Sequence, residues 1–221
     1  MTSGFLTIGE TANTLGVSTR HARRLVSSGD ITLVARGLVD QGSVGRYLKS
    51  QRQGRTRSWA THTAWGAVAL LSGRETDWLG AVQTSRLRTT LRDITEVDDL
   101  LTRMRDRTRF HIFSAHRAAR SRLRDQLTST DLRLLGITDA IDESVDGYLA
   151  ESDLDVVVRD LGLKADANGD VVLRTTSFDF ERARELVSTS TVAALDAATS
   201  IDPRLAGVGR RTLNDLLEAY Q

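Results

Sequence analysis

The sequence predicts a mainly α protein: a compact front unit of short helices and a β-ribbon, then a helical region with a small β-hairpin. Three observations lead there. Residues 5–48 hold short amphipathic runs separated by turn signals, residues 58–127 carry apolar side chains at helical spacing, and Asn168-Gly169 stands between two runs that suit strands. Apolar residues at i, i+3, i+4 and i+7 share one helix face, whereas Asn-Gly fits a two-residue hairpin turn.

In the front unit, Thr7 and Glu10 have the spacing of a capping box, so a helix starts there. Ile8, Ala12 and Leu15 form its apolar face, and Gly16 ends it. Ser18 is a good N-cap for a second helix, whose Ala22, Leu25 and Val26 turn inward. Thr19, Arg20, Arg23 and Arg24 are then left on the solvent side, and Gly29 stops the helix. Ile31–Val34 and Leu38–Asp40 read as a ribbon around Arg36-Gly37, and Val44, Tyr47 and Leu48 as one helix face. The stretch from Lys49 to Ser58 has no apolar residue and is basic, which predicts a domain over 1–50 and a linker over 51–57.

The middle region, 58–127, reads as three helices, a strand and a fourth helix. Trp65, Val68, Ala69 and Leu70 lie in the first, closed by Gly73; Trp78, Val82, Leu87 and Leu91 lie in the second, with Arg86, Arg88 and Arg92 exposed. The third begins at Thr95 and aligns Val97, Leu100, Leu101 and Met104. Arg109–Phe113 alternates like a strand, and Arg117–Leu127 is helical. In the rear, 128–221, Tyr148–Leu161 reads as a helix and LKAD-ANGD-VVLRTT as the hairpin. Phe178–Val187, Val192–Ala198 and Leu205–Tyr220 read as closing helices.

Composition narrows the function. The chain has 221 residues, 40% of them hydrophobic, with one Pro and no Cys, which excludes disulfides, cysteine zinc sites and thiol catalysis. No apolar run approaches a membrane span, and the start lacks the pattern of a signal peptide, so the expectation is a cytoplasmic protein with no membrane partner. The net charge of +1 conceals a gradient: residues 1–60 carry +6, residues 61–124 +5 and residues 125–221 −10. A basic front and an acidic rear suggest a half that binds a polyanion and a half that meets another partner.

The front pattern is that of a helix-turn-helix, in which the second helix lies in the major groove of double-stranded DNA. Arg20 and Arg24 are the expected readers, because a guanidinium can bond bidentately to guanine or phosphate. Ser18, Thr19, His21 and Arg23 would support them. A plain helical hairpin with a solvated basic face is the alternative. LTIGETANTLGVSTRHARRLVSSGDI followed by LVDQGSVGRYL resembles the winged helix-turn-helix of the MerR and phage-excisionase group over roughly the first fifty residues. The resemblance implies that residues 18–24 enter the groove and that Arg36 on the wing touches the flanking backbone. This wing departs from the group in being short and carrying little basic charge. Behind it, SWATHTAWGAVALLSG, TDWLGAVQTSRLRTTLRD and the acidic rear resemble actinobacterial regulators held to be antitoxins of AbiEii-type nucleotidyltransferase toxins. That resemblance implies a repressor of its own operon, with a cognate toxin as partner of the acidic region.

Particular residues suggest other readings. ESDLDVVV mimics the Asp-x-Asp strand of nucleotidyltransferases, with Asp153 and Asp155 as metal-binding carboxylates, but it lacks the upstream Gly-Ser turn and suits a helix with early acids. An excisionase-like architectural factor remains a second DNA-binding alternative. Trp59, Trp65 and Trp78 suit core packing better than base stacking. Arg103, Arg105, Arg107 and Arg109 suit either a phosphate surface or a helix face neutralised by Asp98, Asp99 and Asp106. The four histidines share no metal-ligand spacing, and no phosphate loop or catalytic triad is visible, so no catalytic residue, metal or cofactor is expected.

Overall fold

A computed structural model describes residues 4–27, 31–35, 37–44, 47, 57–138, 145–166, 169–200 and 202–221. The described chain is mostly helical with two small sheets, and it divides into two compact units, Met1–Arg57 and Ser58–Gln221.

The first unit runs β1 (Phe5–Thr7), α1 (Ile8–Leu15), α2 (Thr19–Ser27), β2 (Leu33–Ala35) and β3 (Leu38–Asp40), after which residues 41–44 are again helical. Thr7 caps α1: its Oγ1 accepts from the Glu10 amide at 3.2 Å, and its own amide donates to Glu10 Oε2 at 2.8 Å. The Thr7 amide and, at 2.8 Å, the Thr7 hydroxyl both donate to the Glu10 carboxylate and hold it below its usual range. Gly16 leaves α1 at φ +65°, in the left-handed region that costs glycine least. The strands form an antiparallel sheet in the order β1-β3-β2. One face of the sheet and the inner faces of the helices enclose Leu25, Ile31, Val39 and Val44. Asp40 closes the unit by accepting from the amides of Gly42 and Ser43 at 3.2 and 2.8 Å.

The second unit contains α3 (Thr61–Leu71), α4 (Ala81–Asp93), α5 (Val97–Met104), a 3-10 turn (Arg105–Arg107), β4 (Arg109–Ser114), α6 (Arg117–Arg124) and a 3-10 turn (Leu132–Leu135). It continues through β5 (Val145–Ala150), a 3-10 turn (Glu151–Asp153), α7 (Leu154–Asp160), β6 (Lys164–Ala165) and β7 (Val171–Thr176). α8 (Phe180–Val187), α9 (Ser190–Ala198) and α10 (Pro203–Tyr220) complete it. The sheet order is β5-β7-β4-β6, with β5 parallel to β7 and the other pairs antiparallel. One sheet face packs Phe113, Val171 and Leu173 against Ala119 and Leu123 of α6 and Val157 of α7. The main core lies among α3, α4, α5, α8, α9 and α10, around the fully buried Trp65. Trp65 donates from Nε1 to Thr176 Oγ1 at 3.0 Å and stacks on Phe178. Trp59 and Trp78 pack partly buried against the same core.

The hairpin expected around Asn168-Gly169 is not made. β6 and β7 are consecutive in the chain, but β4 lies between them and pairs with both. β7 is the reason: Val171, Leu173, Arg174, Thr175 and Thr176 are all buried, so the strand needs a neighbour on each side and takes β5 and β4. Gly169 is required by proximity, since a Cβ there would lie 2.1 Å from the Phe113 carbonyl oxygen. Asn168 lies outside the described residues.

A second expectation is also corrected. Tyr148–Leu161 is not one helix: Tyr148, Leu149 and Ala150 end strand β5, and α7 begins at Leu154. Tyr148 and Leu149 are buried on opposite sheet faces, and a short apolar run of that kind reads equally well at either period. Trp78, expected inside the second helix, precedes α4 and donates from Nε1 to the His62 carbonyl at 3.1 Å.

Candidate nucleic-acid interface

α2 is built to show one face. Ser18 caps it, its Oγ accepting from the His21 amide at 3.2 Å and so satisfying one of the first-turn donors. Ala22 and Leu25 are buried and Val26 is half-buried, so the 100° step per residue sends Arg20, Arg23, Arg24 and Ser27 outward together. Thr19 and Ser18 are exposed at the same end. Arg24 Nη2 lies 2.9 Å from Nδ1 of the half-buried His21. A guanidinium only donates, so Nδ1 accepts and the ring proton sits on Nε2, which stays available as a donor.

The electrostatics of this face run against helix stability. Arg20 stands in the first turn, where the helix dipole disfavours a cation, and α2 contains no acid. The acids described in the same unit are committed elsewhere: Glu10 to the α1 cap and Asp40 to the cap of residues 41–44. Among the described residues, neither Arg20 nor Arg23 has an ion-pair partner. Exposed, uncompensated guanidinia beside two hydroxyls and an imidazole donor form a surface that accepts phosphate oxygens and base-edge acceptors.

Arg36 lies outside the described residues. The strands flanking it, β2 and β3, present exposed Leu33, Val34 and Leu38, so the described ribbon offers apolar side chains and no basic ones. Asp153 ends a 3-10 turn and Asp155 sits in the first turn of α7; both are exposed, and they do not lie on one strand. Among the described residues no three His, Asp or Glu side chains gather as a metal site, and no helix is long and apolar enough to cross a membrane.

The arginine run of residues 103–109 resolves into separate structural pairs. Arg103 bonds Asp99 at 3.1 Å, Arg105 lies 3.8 Å from Asp106, and Arg109 bonds Glu151 at 2.5 Å. Asp98 pairs instead with Arg210 of α10. Arg107 enters the core, a role the sequence reading missed. Its Nη2 donates to Asp196 Oδ1 at 2.8 Å and to Tyr148 Oη at 3.0 Å. Its Nε is buried with no hydrogen-bond partner. Arg174 joins from β7, donating to Asp196 at 3.1 Å and to both oxygens of Asp146 at 2.6 and 2.7 Å. Burial pushes the Asp196 carboxyl up while Arg174 and Arg107 pull it down; burial also raises the Tyr148 hydroxyl. One signal for this cluster was present: Asp196 is the lone charge in the otherwise apolar helix STVAALDAA.

Compared with protein-family models, curated proteins and solved structures, the chain matches none.

Proposed function

We propose that this protein is a sequence-specific DNA-binding transcriptional repressor, with residues 1–50 acting as a winged helix-turn-helix and α2 lying in the major groove. The observation that carries the reading is that Arg20, Arg23 and Arg24 stand together on the exposed face of α2, where Arg20 and Arg23 have no ion-pair partner among the described residues. Arg20 and Arg24 read bases, and Ser18, Thr19, His21 and Arg23 hold phosphates or support them. Arg36 is assigned the flanking backbone by the resemblance of residues 1–50 to the winged helix-turn-helix group. The acidic region 128–221 meets a protein partner, and a toxin with a basic surface would make the chain an autoregulating antitoxin. The net charge of −10 over residues 125–221 supports that half of the proposal.

The test is a fluorescence-anisotropy titration with duplex from immediately upstream of the gene, beside a scrambled duplex. Wild type should prefer the former, with affinity falling steeply as salt rises. Arg20→Ala and Arg24→Ala should each cost about 1–3 kcal/mol and relax specificity at the base they read. Equal binding to both duplexes, unchanged in the double mutant, would refute the reading for that operator.

A further inference from the structure

α4 shows a second arginine face, in the other unit from α2. Leu87 and Leu91 are buried, so the helical step turns Ser85, Arg88, Thr89 and Arg92 outward together at i, i+3, i+4 and i+7. Arg86 is exposed on the flank of this row. Among the described residues none of the three arginines has an ion-pair partner, and the one acid of the helix, Asp93, is its last residue. Exposed arginines elsewhere in the unit are answered: Arg133 by Asp131 at 2.9 Å and Arg159 by Asp160 at 3.3 Å. Arg88 and Arg92 stand four residues apart, and like charges at that spacing destabilise a helix. The negative helix C-terminus offsets Arg92, but Arg86 and Arg88 stand mid-helix. The stability of α4 therefore gives no reason for its bare guanidinia.

The chemistry of the row selects its partner. A guanidinium only donates, so the row needs an anion with several acceptor oxygens. Protein interfaces are built around an apolar or aromatic centre with charge at the rim. Here the large apolar side chain on the exposed side is Val82, at the start of the helix and away from the arginines. Phosphate backbones are met by arginines and hydroxyls with no such centre, and exposed Ser85 supplies a hydroxyl beside the row. α4 has no aromatic ring to stack an unpaired base, which favours a duplex over a single strand. Nor does it read sequence: the amide nitrogen of Gln83, which would be needed to grip adenine, is held by His62 Nε2 at 3.2 Å and Thr63 Oγ1 at 3.1 Å. Four residues rise about 6 Å along a helix, which puts the two guanidinia within reach of neighbouring phosphates on one strand.

We propose that α4 binds the phosphate backbone of duplex DNA without reading its sequence, Arg88 and Arg92 each answering a phosphate and Arg86 and Ser85 supporting them. Residues 58–221 carry a net negative charge, so a polyanion can approach this unit only where acids are locally absent, as they are along this row. The proposal goes beyond the reading of α2 and does not depend on it. α2 selects a site, whereas α4 raises the affinity for every duplex alike.

The full chain is titrated by fluorescence anisotropy with the upstream duplex and a scrambled one, at salt from about 50 to 200 mM. The Arg88→Gln, Arg92→Gln double variant should bind both duplexes about tenfold more weakly and leave the preference between them unchanged. Its slope of log affinity against log salt should be shallower by about 2, one for each phosphate lost. Arg88→Lys with Arg92→Lys keeps the charges and should keep the slope. Arg133→Gln with Arg159→Gln removes the same charge from arginines that already have partners and should change neither affinity nor slope. The α4 loss should persist on the scrambled duplex when Arg20→Ala and Arg24→Ala are also present, which separates this proposal from the reading of α2. An unchanged slope in the α4 variant would overturn the proposal and leave the face to an acidic protein. An equal fall in the Arg133, Arg159 control would reduce the effect to net charge. A loss confined to the upstream duplex, or no binding of the scrambled duplex by wild type at the lowest salt, would equally sink the idea.

Discussion

Replacing Asp196 with Asn removes one charge from the core and almost nothing of its shape. Asp196 is 6% exposed and accepts from Arg107, Arg174 and Tyr148, the last at 2.7 and 2.8 Å; both arginine side chains are 7% exposed. After the substitution two guanidinia stay buried, and only Asp146, itself 45% exposed, is left to answer Arg174. Removing one partner of a buried ion pair costs about 3–5 kcal/mol, because the survivor keeps its desolvation penalty. A unit the size of residues 58–221 loses roughly 2–4 °C of midpoint per kcal/mol, so Asp196→Asn should melt about 6–20 °C lower. Asp146→Asn removes a more solvated partner, which is worth about 1 kcal/mol or less and no more than about 4 °C. All three tryptophans lie in this unit, so thermal unfolding followed by their fluorescence at pH 7 reports on it separately from the first. A fall of under about 2 °C for Asp196→Asn, or an equal fall for both variants, would refute the view that Asp196 is the charge on which the core depends.

Gly169→Ala should lower the unfolding free energy read from urea titration by about 2 kcal/mol or more, since its Cβ would meet the Phe113 carbonyl carbon at 2.3 Å and backbone cannot move aside cheaply. A neutral result would remove the crossing over β4. Thr7→Ala deletes the two hydrogen bonds of the Thr7 hydroxyl, from the Glu10 amide and to the Glu10 carboxylate, and should speed amide exchange in α1 by an amount equivalent to about 1 kcal/mol. Tryptophan-detected unfolding of the second unit should not change with it. Tyr148, raised by burial above the ordinary 10.0, stabilises the fold fully below that value. As pH climbs past it, the unfolded chain ionises first and this stabilisation drains away. Urea midpoints measured from pH 8 to about 11.5 should therefore fall more steeply for wild type than for Tyr148→Phe; parallel curves would contradict the assignment.

Signals carried within a few residues were legible in the sequence. The Thr7–Glu10 box, the Gly16 exit and the Ser18 cap each depend on neighbours three or four positions away, and the structure has all three. The outward set of α2 followed from periodicity alone, and the alternation of Arg109–Phe113 gave β4. Pairing between distant segments was hidden. Asn168-Gly169 carries a strong local turn signal, yet the burial of β7 on both faces requires β4 beside it. Tyr148 is strand because it pairs alongside Arg174, 26 positions on, and Arg107 is buried because Asp196 waits 89 positions away. Helical periodicity carries no record of either partner.

The interposition of β4 between β6 and β7 limits how this protein can be taken apart. A cut anywhere from residue 115 to 163 separates the middle strand from both its antiparallel neighbours, and a terminal deletion that removes α10 uncovers α9 and α4. Residues 58–221 therefore offer no internal seam along which a smaller folded piece could be copied, exchanged or grafted. The joint after Arg57 is where this architecture can be recombined. A different front unit placed there would leave every strand pair of the rear untouched.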